Sequence, residues 1–405
     1  MSLLRTAGSL LGVVAFLLLV LTPSALGAPA QPTCPVAAAP GPPVDASEVP
    51  LPGQAEPPPL PVPDPPVGGP GMGTCGVVSP DGVAPPPPVD VESYVLADLD
   101  TGEVLAAKLP HARLRPASLL KTLTGLLVAR QVPMDELITA TQADADQEGT
   151  RVGIGPGGQY TARQLLDGLL MQSGNDIAHA LAVRLTGSVE GTVEEMNRTA
   201  AALGAHDTRA ATPSGLDGPG MSTSTYDLAS IFRVALREPA FAQAVGTRQI
   251  PFPGFGTIPG FVVSNDNKIF DRYPAEAIGG KTGFTNDARH TYIGAVNRGG
   301  RRLVAVLMRG EQRPVPMVDK AAALLDYGFA TPRGRSVGTL TDAATAGIAA
   351  SPDGVADGVA DGATALGPVG SSGQTTTSRW STPLTIGAIV VLALLIAAVR
   401  LRSRS

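Results

Sequence analysis

Ser118 and Lys121 stand three residues apart at the head of an apolar stretch, RPASLLKTLTGLLVARQ. A serine hydroxyl is a weak nucleophile unless a neighbour takes its proton. A lysine can take it only when burial or a second cation depresses its pKa. Pro116 marks a helix start, so the two residues share one face, with Lys121 one turn below the hydroxyl. Ser118 then falls near the helix N-terminus, where backbone N–H groups point at anything bound there. Lysine is scarce in this chain, five residues within a Lys+Arg total of 30, which makes one on a core-facing stripe worth explaining. Two further stretches carry candidate chemistry. Ser173-Gly174-Asn175, in LLMQSGNDIAHAL, lies between two helical patterns, in a turn able to present a hydroxyl and an amide to a cleft. Lys281-Thr282-Gly283, in AIGGKTGFT, continues an apolar strand, with a glycine where a ligand backbone can approach. Lysine and threonine there suit a carboxylate, by charge and hydrogen bond. Taken singly, each is ordinary: an N-cap serine, a loop, a common tripeptide.

These three stretches need a scaffold, and roughly Val91 to Pro332 can supply it. SYVLADLDTGEVLAA reads as a β-hairpin turning at Asp100-Thr101-Gly102. Thr161 with Gln164 forms a capping box ahead of LLDGLLMQ. Helices are expected from about Val189 to Leu203, ending at Gly204, and from Tyr226 to Arg237 before Pro239. Strand patterns return in AIGGKTGF, TYIGAV and RLVAVLM, the last two joined by a turn at Arg298–Gly300, and a final helix covers about Val315–Tyr327. Strands at both ends with helices between predict an α+β domain, its antiparallel sheet assembled from the two ends.

The ordered set S-x-x-K, S-x-N and K-T-G resembles the active-site motifs of penicillin-binding proteins and serine β-lactamases. The Ser-Gly-Asn version is similar to the D-alanyl-D-alanine carboxypeptidases, the low-molecular-mass penicillin-binding proteins, as are LADLDTGEVL, RPASLLKTLT, TPSGLDGPGMSTSTYDLA and GGKTGFT. The resemblance covers about Val91–Tyr327 and implies a penicillin-binding, serine β-lactamase-like fold. It makes Ser118 the acylated nucleophile, Lys121 its general base and Ser173 a proton relay toward the leaving D-alanine. Asn175 would contact the peptide, Lys281 and Thr282 would bind the terminal carboxylate beside Gly283, and Lys281 would help keep Lys121 neutral. The N–H groups of Ser118 and Phe284 would form the oxyanion hole. The implied substrate is the peptidoglycan stem peptide, with β-lactams as acylating inhibitors and no metal or organic cofactor. A DD-endopeptidase cutting peptidoglycan cross-links would use the same residues, and a non-catalytic wall-binding scaffold is the alternative from another class. A class A β-lactamase fits less well, because no Glu-x-x-Leu-Asn segment is found. Where many relatives have Ala-Gly after the third motif, this chain has Ala288-Arg289-His290, a bulky cation that would narrow or recharge the cleft.

The rest of the chain reads as address and tether. Residues 1–27 have the layout of a signal peptide, with an uncleaved anchor as the alternative. Residues 28–90 hold more than half of the 39 prolines and read as a semi-rigid spacer, and 334–382 are rich in Gly, Ala, Ser and Thr. An unbroken apolar run predicts a transmembrane helix over 383–401 with a short basic tail at 402–405. That arrangement places a catalytic domain at 91–333 outside the cell, held by a single pass through the cell membrane. Net charge is −5 without a basic cluster outside the tail, which argues against nucleic acid. Four scattered histidines give no metal-ligand spacing. Cys34 follows Gln-Pro-Thr, unlike a lipid-anchor site, and could pair with Cys75 in an oxidising compartment.

Overall fold

A computed structural model describes residues 37 and 39–342. The chain lays down β1 (Val77–Val78), β2 (Val91–Asp98) and β3 (Glu103–Lys108), the last two being the expected hairpin. A helical layer follows: α1 (Lys121–Gln131), α2 (Gln142–Ala145), α3 (Ala162–Met171), α4 (Asn175–Thr186), α5 (Val189–Ala202), α6 (Thr225–Ala235) and α7 (Pro239–Gly246). Two small hairpins accompany it, β4 (Leu137–Thr139) with β5 (Gln159–Thr161), and β6 (Gln249–Phe252) with β7 (Phe261–Ser264). After α8 (Ile269–Arg272) the chain returns as β8 (Ala277–Thr285), β9 (Arg289–Arg298) and β10 (Arg301–Gly310), then α9 (Met317–Ala330) and β11 (Gly338–Thr339). The main sheet is antiparallel in the order β1-β3-β2-β10-β9-β8, with β11 also on β3. Early and late strands meet where β2 pairs with β10, Val95 opposite Val306, so the sheet is built from both ends of the domain as the strand patterns predict.

Both faces of this sheet are covered, which explains why its strands read as unbroken apolar runs rather than alternating ones. Val95 and Ala97 of β2, with Val304 and Val306 of β10, enter one core with the helical layer. Their neighbours Tyr94, Leu96, Leu303 and Leu307 enter a second core with Met317, Leu324 and Leu325 of α9. Helix α1 runs through the first core and is buried on all sides from Lys121 to Val128, so Lys121 does not sit on one stripe of an amphipathic helix. The Thr161–Gln164 capping box opens α3 with both reciprocal bonds made, and α5 ends beside Gly204, whose φ of 72° needs no Cβ.

Two boundaries differ from the sequence reading. The described part of the Pro-rich segment, residues 39–90, lies along the domain. Prolines lack N–H groups, and an extended Pro-rich backbone offers unpaired carbonyls. Arginines of the domain take them up: Arg113 donates to Leu60 O and Pro61 O (both 2.6 Å), and Arg209 to Pro58 O (2.6 Å). Met72 is buried in the first core. At the other end, packing continues past residue 333: Leu340 is buried, and Asp342 pairs with Arg233 and Arg237. Cys75 is disulfide-bonded, while Cys34 lies outside the described residues, as do the expected signal peptide and transmembrane helix. Among the described residues no helix is long and apolar enough to cross a membrane.

Candidate active site

Ser118 sits in a short 3-10 turn, Ala117–Leu120, that leads into α1. Ala117 is held at φ 48°, a left-handed conformation costly for a residue with a Cβ. Thr291 Oγ1 of β9 fixes the turn by donating to Pro116 O (3.0 Å), and Gly215 backs it so closely that a Cβ there would overlap Ala117 O. Ser118 is thus set by backbone packed between the sheet and the 212–218 loop.

Lys121 is wholly buried. Its Nζ donates to Asn175 Oδ1 (2.6 Å) and Ser214 O (2.7 Å), and lies 3.0 Å from Ser118 Oγ. Burial first, and the nearby Lys281 second, hold its pKa well below the ordinary lysine value, against weaker opposition from Asp176 and Asp266. A neutral amine has two N–H donors and one lone pair. Both donors go to groups that can only accept, which leaves the lone pair for the Ser118 hydroxyl. The amide orientation of Asn175 is fixed independently, since its Nδ2 donates to Glu148 O (2.7 Å).

Across the cleft, Ser173 adopts φ 65° in the turn between α3 and α4. Its Oγ is buried and has no hydrogen-bond partner among the described residues. A buried hydroxyl without a partner is a group waiting for one. Next along, Asp176 is fully buried and accepts from the N–H groups of Val152 (3.1 Å), Gly153 (2.7 Å), Ile154 (3.1 Å) and Ile177 (2.9 Å). This carboxylate pins the 150–154 loop, whose Thr150 lines the cleft.

Strand β8 is the other wall. Gly283 lies opposite Thr291 on β9 and against Ser118 N, which an added Cβ would approach to 2.8 Å. Thr282 Oγ1 donates to Asp266 Oδ2 (2.9 Å), and Lys281 Nζ donates to Thr282 O (2.9 Å). Lys281 is buried, and burial lowers its pKa against the pull of Asp266. Ser118, Ser173, Thr282, Gly283 and Phe284 therefore face one cleft of about 390 Å³, with Lys121, Asn175 and Lys281 beneath its floor.

The cation expected to recharge the cleft is turned outward. Arg289 pairs with Glu311 (2.8 Å) and packs over the Phe284 ring. His290 is the one that lines the cleft; it stacks on Phe284, and burial lowers its pKa. At neutral pH the cleft gains a neutral ring there. The sequence reading assigned no role to Ser214, Gly215, Asp176 or Asp266. Ser214 and Gly215 act through backbone, which residue types do not advertise; Asp176 directly follows the second motif and was legible only as a neighbour. His111, Asp207 and Asp227, far apart in sequence, converge in the structure. Their atoms are engaged by protein: His111 reaches Asp207 Oδ2 (2.7 Å) and Val67 O (3.0 Å), and Arg113 Nε donates to Asp207 Oδ1 (3.2 Å). Burial and the Asp207 charge push Asp227 up to about 8.

An α+β fold that sets a serine, a buried lysine and an unpartnered serine around a K-T-G edge strand defines a serine acyl-transfer peptidase of the penicillin-binding class. The D-alanyl-D-alanine carboxypeptidase family, peptidase S11, matches residues 81–312, and the chain belongs to it; the protein is a serine-type D-Ala-D-Ala carboxypeptidase. It is 44% identical over 267 residues to D-alanyl-D-alanine carboxypeptidase DacB2 of Mycobacterium tuberculosis, covering 65% of this chain and 90% of that one. With DacF of Bacillus subtilis it shares 30% over 245 residues, 59% and 62% of the two chains. A crystal structure of the D-alanyl-D-alanine carboxypeptidase from Mycobacterium tuberculosis superposes with a TM-score of 0.62 at 43% identity, covering 65% of this chain and all of that one. The Streptomyces K15 DD-transpeptidase gives 0.58 at 26% identity, covering 61% of this chain and all of that one.

Proposed function

We propose that Ser118 Oγ attacks the carbonyl carbon of the penultimate D-alanine of a stem peptide while neutral Lys121 takes the hydroxyl proton. The C–N bond to the terminal D-alanine breaks, and Ser173 passes a proton to the departing amine. Water then hydrolyses the ester on Ser118. The N–H groups of Ser118 and Phe284 receive the oxyanion. Lys281 supplies charge from below the strand, and the Thr282 hydroxyl turns from Asp266 to the substrate carboxylate. Asn175 holds Lys121 and flanks the peptide. The observation that carries this reading is the buried Lys121 Nζ 3.0 Å from Ser118 Oγ, held by two obligate acceptors that in the neutral amine leave its lone pair for the hydroxyl.

The test follows free D-alanine from a peptide ending in D-Ala-D-Ala. Release that penicillin blocks, with the label mapped to the Ser118 peptide, is the expected result. Release that persists after complete labelling, or a label on another residue, would overturn it. A cross-linked stem dimer assayed alongside distinguishes an endopeptidase.

The apolar run at Leu384–Val399 and the signal-like residues 1–27 support a tethered enzyme with its domain outside the cell, cutting peptidoglycan from the membrane surface. Ending the chain at Asp342 is expected to move activity from the membrane fraction to the soluble one. Activity that stays with the membranes would remove the tether from this account.

A further inference from the structure

The docked Pro-rich segment lies outside the family match at 81–312, yet it grips the catalytic machinery from two sides. Residues 111, 113 and 115 alternate along the extended chain that runs into Pro116 and Ser118, so their side chains share one face. Leu114, between them, is buried and exchanges backbone hydrogen bonds with Thr223. All three outward residues hold the segment. His111 takes Val67 O and Arg113 takes Leu60 O and Pro61 O. Arg115 donates to Gly41 O (2.6 Å) and makes a two-pronged pair with Glu48. That pair is buried, with side chains only 3% and 7% exposed. The same segment also reaches the far wall: Val44 N donates to Asp287 Oδ1 (2.7 Å), in the turn joining β8 to β9. Asp287 is itself buried, and its backbone O accepts from Arg309 (3.0 Å).

We propose that residues 41–67 form a strap that sets the distance between the nucleophile and the substrate-binding strand, with Glu48 as its positioning residue. The strap joins the backbone that carries Ser118 to the turn that carries β8. Each wall offers the strap something to brace: Ala117 is held, by Thr291 and Gly215 among others, in a strained left-handed conformation, and the β8–β9 turn lies at the sheet edge. Glu48 acts through its pair with Arg115, and its charge also bears on Asp217.

The inference rests on Ser118 being the acylated residue, and the experiment separates the two. In the full-length protein, Glu48→Arg, Arg115→Glu and the swapped double variant are compared with the parent. Acylation by a fluorescent penicillin is measured on material whose folding is verified by circular dichroism. Each single variant is expected to acylate roughly 10- to 100-fold more slowly, the scale of an ångström misplacement. The swap is expected to recover to within about threefold, as coupled partners should. Folded single variants that acylate at the parental rate would overturn the proposal, as would a swap that restores melting but not acylation. Should the single variants fail to fold, Val44→Pro removes the hydrogen bond to Asp287 and stiffens the backbone at 43–44, leaving the Arg115–Glu48 pair in place. A several-fold slowing at an unchanged melting temperature then supports the strap, and an unchanged rate sinks it. A parent that penicillin does not label at Ser118 defeats the underlying assignment instead.

Discussion

Lys121→Met is expected to lower the rate of acylation by penicillin by about 10³-fold, near the middle of the range for loss of a general base. The amine has no substitute within reach: Lys281 donates to Thr282 O, and His290 faces the cleft from the strand side. Methionine matches the length of the lysine stem and fills its buried channel, but leaves Asn175 Oδ1 and Ser214 O without a donor. Two buried acceptors cost about 1–3 kcal/mol each, partly offset by the apolar side chain. Lys121→Arg should fail equally, because a guanidinium cannot surrender its proton. The pH profile gives an independent check. The folded pKa of Lys121 is depressed, so the reactive neutral form is present well below the ordinary value of 10.5. Acylation should rise with pH through that lowered pKa and then level off. A rate still climbing as pH approaches 10.5 would contradict the general-base assignment, as would near-parental acylation in Lys121→Met.

Gly283→Ala should slow acylation by about 100-fold with the sheet intact. The new methyl would stand 2.5 Å from Thr291 Oγ1, 2.8 Å from Ser118 N and 3.1 Å from Ala117 Cβ. The first two separations are shorter than carbon atoms accept, so something must move. Thr291 is bound to Pro116 O, and either way the displacement reaches the turn that carries the nucleophile. Overpacking of this kind costs about 1–3 kcal/mol, which a domain of this size tolerates. A shift approaching an ångström of the Ser118 N–H spoils both the attack geometry and an oxyanion donor. Acylation within about threefold of the parent, on protein that melts normally, would show that β8 and the Ser118 turn are less tightly apposed than the structure has them.

Much of this architecture is written in short-range signals. The Asp100-Thr101-Gly102 turn, the Thr161–Gln164 box and the stop at Gly204 are local devices, and each appears where its residues say. The long apolar runs of β2 and β10 were readable as strands, though only tertiary structure shows that α9 covers their second face. The three motifs were legible one by one from local geometry, while their convergence on one cleft comes from long-range pairings such as Lys121 with Asn175 and Thr291 with Pro116. What escaped is of another kind. The strap has no hydrophobic period, and its prolines look like filler until Arg113 and Arg115 are seen to need carbonyl partners. The β11 pairing is two residues long within a Gly- and Ser-containing stretch. Ser214 and Gly215 contribute a carbonyl and an absent side chain. Asp176 works on the backbone of a loop more than twenty residues away. Long-range backbone roles leave no spacing to read.

Strand β8 ends the sheet beside β9, and its Gly283 lies against the Ser118 turn. A strand in that position meets a peptide with main-chain N–H and C=O groups, which are the same whatever residue occupies each site. Escape from an inhibitor usually comes by changing a side chain that the drug touches and the substrate does not. Here, any acylating amide that lay along β8 would borrow groups that mutation cannot rewrite. Resistance in this enzyme would have to arise in side chains that line the cleft, such as Phe284 of β8 and His290 of β9, or in the turn beneath Ser118.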